Sequence, residues 1–417
     1  MKRRVVITGL GIVAPNGRRK EAFWQALNNG LSGVRTIRRF DASSLPTQIA
    51  AEVQDFEPLE FMESHEVKRM DRNHHFAMAA SLMALEDSKI ELTPESSEHA
   101  GSSIGNAVCG LESMQNESQI LWEKGPRWGS PYFAIAFFCC GANGVTSIRL
   151  KLKGPILTIS NGNTSATDAI GAGFRLVQNG RADVMVCGGT EAPLIPLLVG
   201  SMSRDGWLST RNQAPGEASR PFDRHCDGIV LGEGAAMLVL EDLSHAQRRD
   251  APIYAEICGY QNSNSAYHIL YPEPNGLGLI RTMKEALHEA EATPGQVDLI
   301  NAQGNSLLDY DRMESRCIQE TFSEGNPIPP VSAITSLIGN PLGALGAFQA
   351  AVSALALQNQ MFPPHANSFT PDTAYPIHLT GPKAKAGPIR VVVQNSYCFM
   401  GKHSTMVYKK YEKEKDD

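Results

Sequence analysis

The stretch 154–179, GPILTISNGNTSATDAIGAGFRLVQN, combines residue types and spacing that could do chemistry. A β-branched apolar run from Ile156 to Ile159 breaks at Ser160-Asn161-Gly162, and small or apolar residues then recur at helical spacing (Ala166, Ala169, Ile170, Gly173, Phe174, Val177). The pattern predicts strand, tight turn and helix. Ala and Gly lie on nearly every face of that helix, so other backbone must approach it closely, and it is expected to be central. Asn163 therefore stands at the N-terminus of a buried helix, where unpaired N–H groups and the dipole favour negative charge. An enzyme would place there a nucleophile whose acyl oxygen needs stabilising. The position holds an amide instead.

Other reactive residues offer less. His74 and His75 are adjacent but lack partners at ligand spacing, so they are read as helix surface residues and no metal is expected. His225 and Cys226 could form a catalytic pair, but sequence neighbours on a strand point apart. Gly9-Leu10-Gly11 lacks the full GxGxxG spacing of a phosphate cradle. The eight cysteines show no CxxC or metal-like spacing, and most fall in apolar runs, as expected of reduced, buried thiols.

The elements that must position Asn163 follow from the rest of the chain. At 417 residues and 42% hydrophobic content it exceeds one ordinary domain of roughly 100–200 residues. Two fused halves are expected, 1–240 and 241–408, with 409–417 as a disordered charged tail. Strands are predicted near 4–9, 101–110, 156–159, 182–187, 253–260 and 297–302, and helices near 21–28, 74–87, 111–122, 279–291 and 311–321. The segment 339–358 repeats the small, apolar character of the helix after Asn163, so each half offers a strand, a special turn and a buried helix. PYFAIAFFCC, from Pro131 to Cys140, is the most aromatic piece. Net charge is −6 with no basic stripe, so nucleic acid is not an expected partner. No apolar run reaches the ~18 residues of a membrane span and no signal peptide is visible, so a cytoplasmic location is expected.

Several blocks in fixed order make the chain resemble the β-ketoacyl synthases of fatty-acid and polyketide assembly. They are VVITGLGIVAPNG from Val5 to Gly17, KGPR at 124–127 with SIRLKLKGP at 147–155, DVMVCGGTE at 183–191, RPFDR at 220–224 with DGIVLGEGA at 227–235, and GNPLGALGA at 339–347. The resemblance implies a thiolase-like α/β fold, two pseudo-equivalent βαβαβ halves in a five-layer α-β-α-β-α arrangement. It also implies a dimer and no cofactor.

The resemblance further implies what should stand at the active site, and the sequence departs from it position by position. A working synthase carries Cys where this chain has Asn163. Its His-Gly-Thr-Gly-Thr block reads QGNSL from Gln303, and its Lys-Ser-x-x-Gly-His block reads TSLIGN, putting Thr335 at the lysine and Asn340 at the second histidine. Claisen condensation needs a soft nucleophile to hold the acyl group and two imidazoles to stabilise the enolate left by decarboxylation. Carboxamides stay neutral at every physiological pH. If the three amides meet, they would satisfy one another and avoid roughly 1–3 kcal/mol per unpaired buried group, forming a polar plug.

Around that plug, Phe399 matches the family's gating aromatic. Two glycines of its loop have become Cys398 and Met400, which is expected to remove φ > 0 conformations and stiffen the loop. Cys398 is the thiol nearest the old pocket. Phe133, Phe137 and Phe138 are candidates to close the partner's acyl tunnel, or are interface aromatics; Gly110, Ser113, Met114 and Gln115 could line the tunnel floor. Asp227 and Glu233 are read as structural.

These departures imply a non-catalytic subunit like the chain length factor, or ketosynthase β subunit, of type II polyketide and aryl-polyene-like systems, which often carry Gln where Asn163 stands. It would pair with a ketosynthase α subunit, complete its tunnel and help set chain length. Acyl carrier protein would dock mainly on that partner, with Arg127 assisting. The alternatives are an active enzyme of altered chemistry, such as a malonyl-carrier decarboxylase or acyl transferase, and a homodimeric acyl-binding protein.

Overall fold

Alternating and continuous apolar runs become strands, most of them buried on both faces, as a sheet covered by helices requires. In the computed structural model, which describes residues 2–323 and 327–413, the first is β1 (Val5–Ala14), buried along its whole length. The first half continues with β2 (Ala100–Gly105), β3 (Ile156–Ile159), β4 (Val184–Glu191) and β5 (Gly234–Asp242). The second half contributes β6 (Ala255–Asn264), β7 (Leu299–Asn301), β8 (Val331–Ser332), β9 (Val391–Tyr397) and β10 (Lys402–Lys409).

Among the described residues these strands, with a short Gly17–Arg18 piece on β1, form one eleven-stranded sheet in the order β8-β7-β9-β10-β6-β1-β5-β4-β2-β3. The first half runs third, second, fourth, fifth, first by chain order, and the second half repeats that order. In each half the second strand is parallel to the third and fourth, and the fifth is antiparallel to the fourth and first. The halves join where Val5, Val6 and Ile7 pair with Ile257, Glu256 and Ala255. β5 runs to Asp242, past the boundary expected at 240, so the passage between halves is 243–254. β10 takes in Lys409, the first residue of the expected tail, and 414–417 lie outside the described residues.

The helices that place the site are α1 (Arg72–Ser88), α2 (Leu111–Lys124), α3 (Phe133–Phe137), α4 (Ser165–Gln178), α5 (Leu277–Glu289), α6 (Leu308–Phe322) and α7 (Leu345–Asn359). α4 and α7 touch each other and strands of both halves, while α1 covers the first half and α5 with α6 the second. This gives the expected five layers. Small residues make the central layer possible: a Cβ on Gly346 would fall 2.1 Å from the Thr167 hydroxyl, so only hydrogen fits where α7 crosses α4. No helix among the described residues is long and apolar enough to cross a membrane.

Candidate functional site

The turn between β3 and α4 carries Asn163, and the turn between β8 and α7, at the equivalent place in the second half, carries Asn340. Gly162 takes φ 66° at the first turn and Gly339 φ 65° at the second, conformations that glycine adopts without strain. The passage after β7 supplies Gln303. All three amides are buried.

They meet, but through a fourth carboxamide that the sequence reading did not single out. Asn163 Nδ2 donates to Asn340 Oδ1 at 3.4 Å, which also accepts Leu342 N at 2.9 Å. Asn340 Nδ2 donates to Asn305 Oδ1 at 3.0 Å, and Gln303 Nε2 donates to the same oxygen at 3.0 Å. Gln303 then pairs with the backbone of Tyr397 at both ends, donating to its carbonyl at 2.8 Å and accepting its N–H at 2.7 Å. A carboxamide has the donor and acceptor of a peptide group, so Gln303 extends the ladder of β9 with its side chain. The signal for Asn305 was the alternation of amides two apart in QGNSL.

Two buried carboxyl groups on α6 hold this turn from beneath. Glu314 accepts Gln303 N at 3.0 Å and Gly304 N at 2.9 Å, and Asp311 accepts Asn305 N at 2.7 Å and Phe222 N at 2.9 Å. Burial pushes both up to about 7 against their backbone donors. Thr335, at the expected lysine position, brings no charge to them; its hydroxyl meets the Gln303 carbonyl at 3.1 Å and the Gly304 carbonyl at 2.7 Å.

Phe399 is half-buried, its ring edge-on to Trp207 at 4.7 Å and to Tyr310 at 5.5 Å. Met400 beside it takes φ 65°, so the exchange of glycine for methionine has kept the left-handed conformation rather than removed it, against expectation. The backbone is held there because Met400 N donates to Ile269 O at 2.9 Å and Asn264 Nδ2 donates to Met400 O at 3.0 Å. Cys398 is buried, with its sulfur packed on Gly162, and burial raises its thiol above the ordinary range. It is held as a thiol rather than as a nucleophilic thiolate.

The tunnel candidates lie on α2, on α3 and at their ends, which pack against each other. Gly110 (φ 58°) caps α2 so close to α3 that a Cβ would fall 2.4 Å from Ala136 O, and Ser113 donates from N and Oγ to Asp71 Oδ2 at 2.9 and 2.7 Å. Met114 and Gln115 are half-buried beside it. Phe133 stacks on Phe137 at 5.5 Å, yet Phe137 and Phe138 are 40% and 56% exposed in the single chain, which sets them outside its core. Trp122, Trp128, Ile148, Ile156 and Leu157 are exposed with them, the last two on β3, the open edge of the sheet. Arg127 is exposed in the same region.

Other expectations are revised by packing. His74 is fully buried rather than on the helix surface: its Nδ1 accepts Asp71 N at 3.3 Å as part of the cap of α1, and burial lowers it to about 4. No group of three metal-binding side chains occurs among the described residues. His225 meets Arg224 at 3.3 Å, and no hydrogen bond joins it to Cys226. Cys139 and Cys140 are exposed and Cys226 and Cys258 half-buried, so only four of the eight cysteines are buried. Glu233 accepts Arg72 at 2.7 and 3.0 Å and Val53 N at 2.9 Å, and Asp227 accepts Ser209 Oγ at 2.8 Å, both tying loops together.

Comparison with known proteins agrees with this architecture. The family model described as β-ketoacyl synthase, N-terminal domain, matches residues 2–246, and the C-terminal domain model matches 254–369. A 3-oxoacyl-(acyl-carrier-protein) synthase 2 of Coxiella burnetii is 41% identical over 406 residues, 97% of this chain and 98% of the relative. Among solved structures, a type II PKS acyl-carrier protein in complex with its ketosynthase bound to the hexaketide superposes with a TM-score of 0.90 at 29% identity, covering 99% of this chain and 100% of the other. The ishigamide ketosynthase/chain length factor gives 0.90 at 28% identity over the same shares. This chain is a member of the β-ketoacyl synthase family.

Proposed function

We propose that the chain is a non-catalytic, chain-length-factor-like subunit that pairs with an active ketosynthase, completes its acyl tunnel and helps fix product length. The observation that carries this reading is the unbroken string from Asn163 through Asn340 and Asn305 to Gln303 and Tyr397, in which each amide is engaged by another or by backbone. No member can hold an acyl group as a thioester or take up a proton near neutrality, and the steps of condensation need both. The exposed rings of Phe137 and Phe138 and the apolar edge strand β3 supply a surface of the kind that a second chain covers. On this reading Gly110, Ser113, Met114 and Gln115 with Phe133, Phe137 and Phe138 shape the end of the partner's tunnel. Acyl carrier protein delivers chains to the partner, with Arg127 assisting.

Co-expression with a Cys-bearing ketosynthase from the same gene cluster tests it. The expected result is a one-to-one heterodimer that elongates chains, with the present chain alone inert. A stable homodimer that ignores the ketosynthase overturns the proposal. So does release of carbon dioxide from malonyl carrier protein by the isolated chain, which would favour an enzyme of altered chemistry.

A further inference from the structure

On the outer surface of the second half, the loop after β6 and the first turn of α6 enclose a cavity of about 400 Å³. Its size falls within the range of small-molecule sites, roughly 300–1,000 Å³. Its wall is aromatic: the His268 ring lies 6.5 Å from Tyr267 and 5.0 Å from Tyr271, and Tyr375 faces the same space. The wall is also built. His268 Nδ1 accepts Leu270 N at 3.0 Å and Tyr271 N at 3.2 Å, which folds the loop so that the rings on either side of the histidine come together. Tyr267 and Tyr271 nonetheless remain 56% and 55% exposed.

Charge decides what such a wall would hold. Two ionised residues line the cavity, Asp309 and Arg312. The Arg312 guanidinium is engaged by Asp372 at 2.5 Å, whereas Asp309 makes no hydrogen bond or ion pair among the described residues. The cavity thus presents π faces, and two carboxylates, Asp309 and Asp372, act on the single Arg312 guanidinium, so the rim carries net negative charge. An anion would meet net negative charge, and a neutral apolar guest would gain nothing from it. A cation with an apolar body satisfies both, because ring faces attract positive charge. We propose that this cavity binds an organic cation of the alkylated-ammonium class, its charge set against Tyr267, Tyr271 and Asp309.

Calorimetric titration of the full chain with choline, with its neutral isostere 3,3-dimethylbutan-1-ol and with benzoate tests the assignment. Choline is expected to bind about two- to fivefold more tightly than the alcohol, the discrimination a cation–π contact at exposed rings supplies. Tyr271→Ala should abolish binding, Tyr271→Phe should preserve it because the ring face remains, and Asp309→Asn should weaken it severalfold, with unchanged melting curves showing that each variant is folded. Equal affinity for choline and the alcohol, tighter binding of benzoate, or full binding by folded Tyr271→Ala would each overturn it.

Discussion

Asn305 is the residue on which the string of amides turns, since its one carbonyl oxygen accepts from both Asn340 and Gln303. Replacing it by Leu leaves two buried NH₂ groups each short of a partner, so Asn305→Leu is expected to cost about 2–6 kcal/mol in chemical denaturation. Asn163→Cys alone should not be labelled by an acyl donor, because the thiol would face amides and no base. Only with Gln303→His and Asn340→His added is acylation followed by condensation expected, read by mass spectrometry of the intact chain. The amides at 163, 303 and 340 and the hydroxyl at 335 were legible in the sequence because each sits in a recognisable block. The role of Asn305 was not, since its partners lie 2 and 35 positions away and only folding brings the second one near. The burial of His74 escaped for a similar reason: a polar residue on a helix reads as exposed unless its cap hydrogen bond is known.

At the scale of elements, strands and central helices were largely readable because apolar periodicity and small-residue content survive without tertiary information. The loop 398–401 was not. Sequence argued that methionine for glycine would abandon the left-handed region, whereas hydrogen bonds from Asn264 and to Ile269 hold Met400 in it. Met400→Gly is therefore expected to relieve backbone strain of order 1 kcal/mol while adding unfolded-chain entropy of similar size, leaving overall stability nearly unchanged. Its mark should be local, as faster amide hydrogen exchange at 398–401. In the same way Gly110→Ala would drive a Cβ into Ala136 O and Phe137 Cα, and should cost about 1–3 kcal/mol and displace α3. On the proposed function that displacement shortens or blocks the partner's tunnel, seen as a changed product length from the reconstituted pair.

For the whole molecule, titration follows from what is buried. Glu191, which accepts Ala107 N, Val108 N and Gly343 N, is pushed up to about 8 by burial, and Asp311 and Glu314 to about 7. Each binds a proton more readily folded than unfolded, so the stability it contributes is present at low pH and lost as pH rises through 7 to 8. Buried His74, His365 and His403, lowered to about 4, act in the opposite sense, but only below their unfolded value of about 6.5. Between pH 6.5 and 8.5 the melting temperature is thus expected to fall, and Glu191→Gln should flatten the slope; a rise across that window contradicts the assignment. The repeated strand order of the halves was visible in the sequence only as two similar small-residue segments, because register is a property of pairing. That repetition places Asn163 and Asn340 at the same turn of each copy, and on the proposed function it bears on how catalysis could arise in such a chain. A histidine placed at one turn alone would sit enclosed beside the amides of the other, driven toward neutrality by burial as His365 is. On that reading single substitutions pass through forms no more active than the present one, and the two turns work as a ratchet in which each copy keeps the other from changing alone.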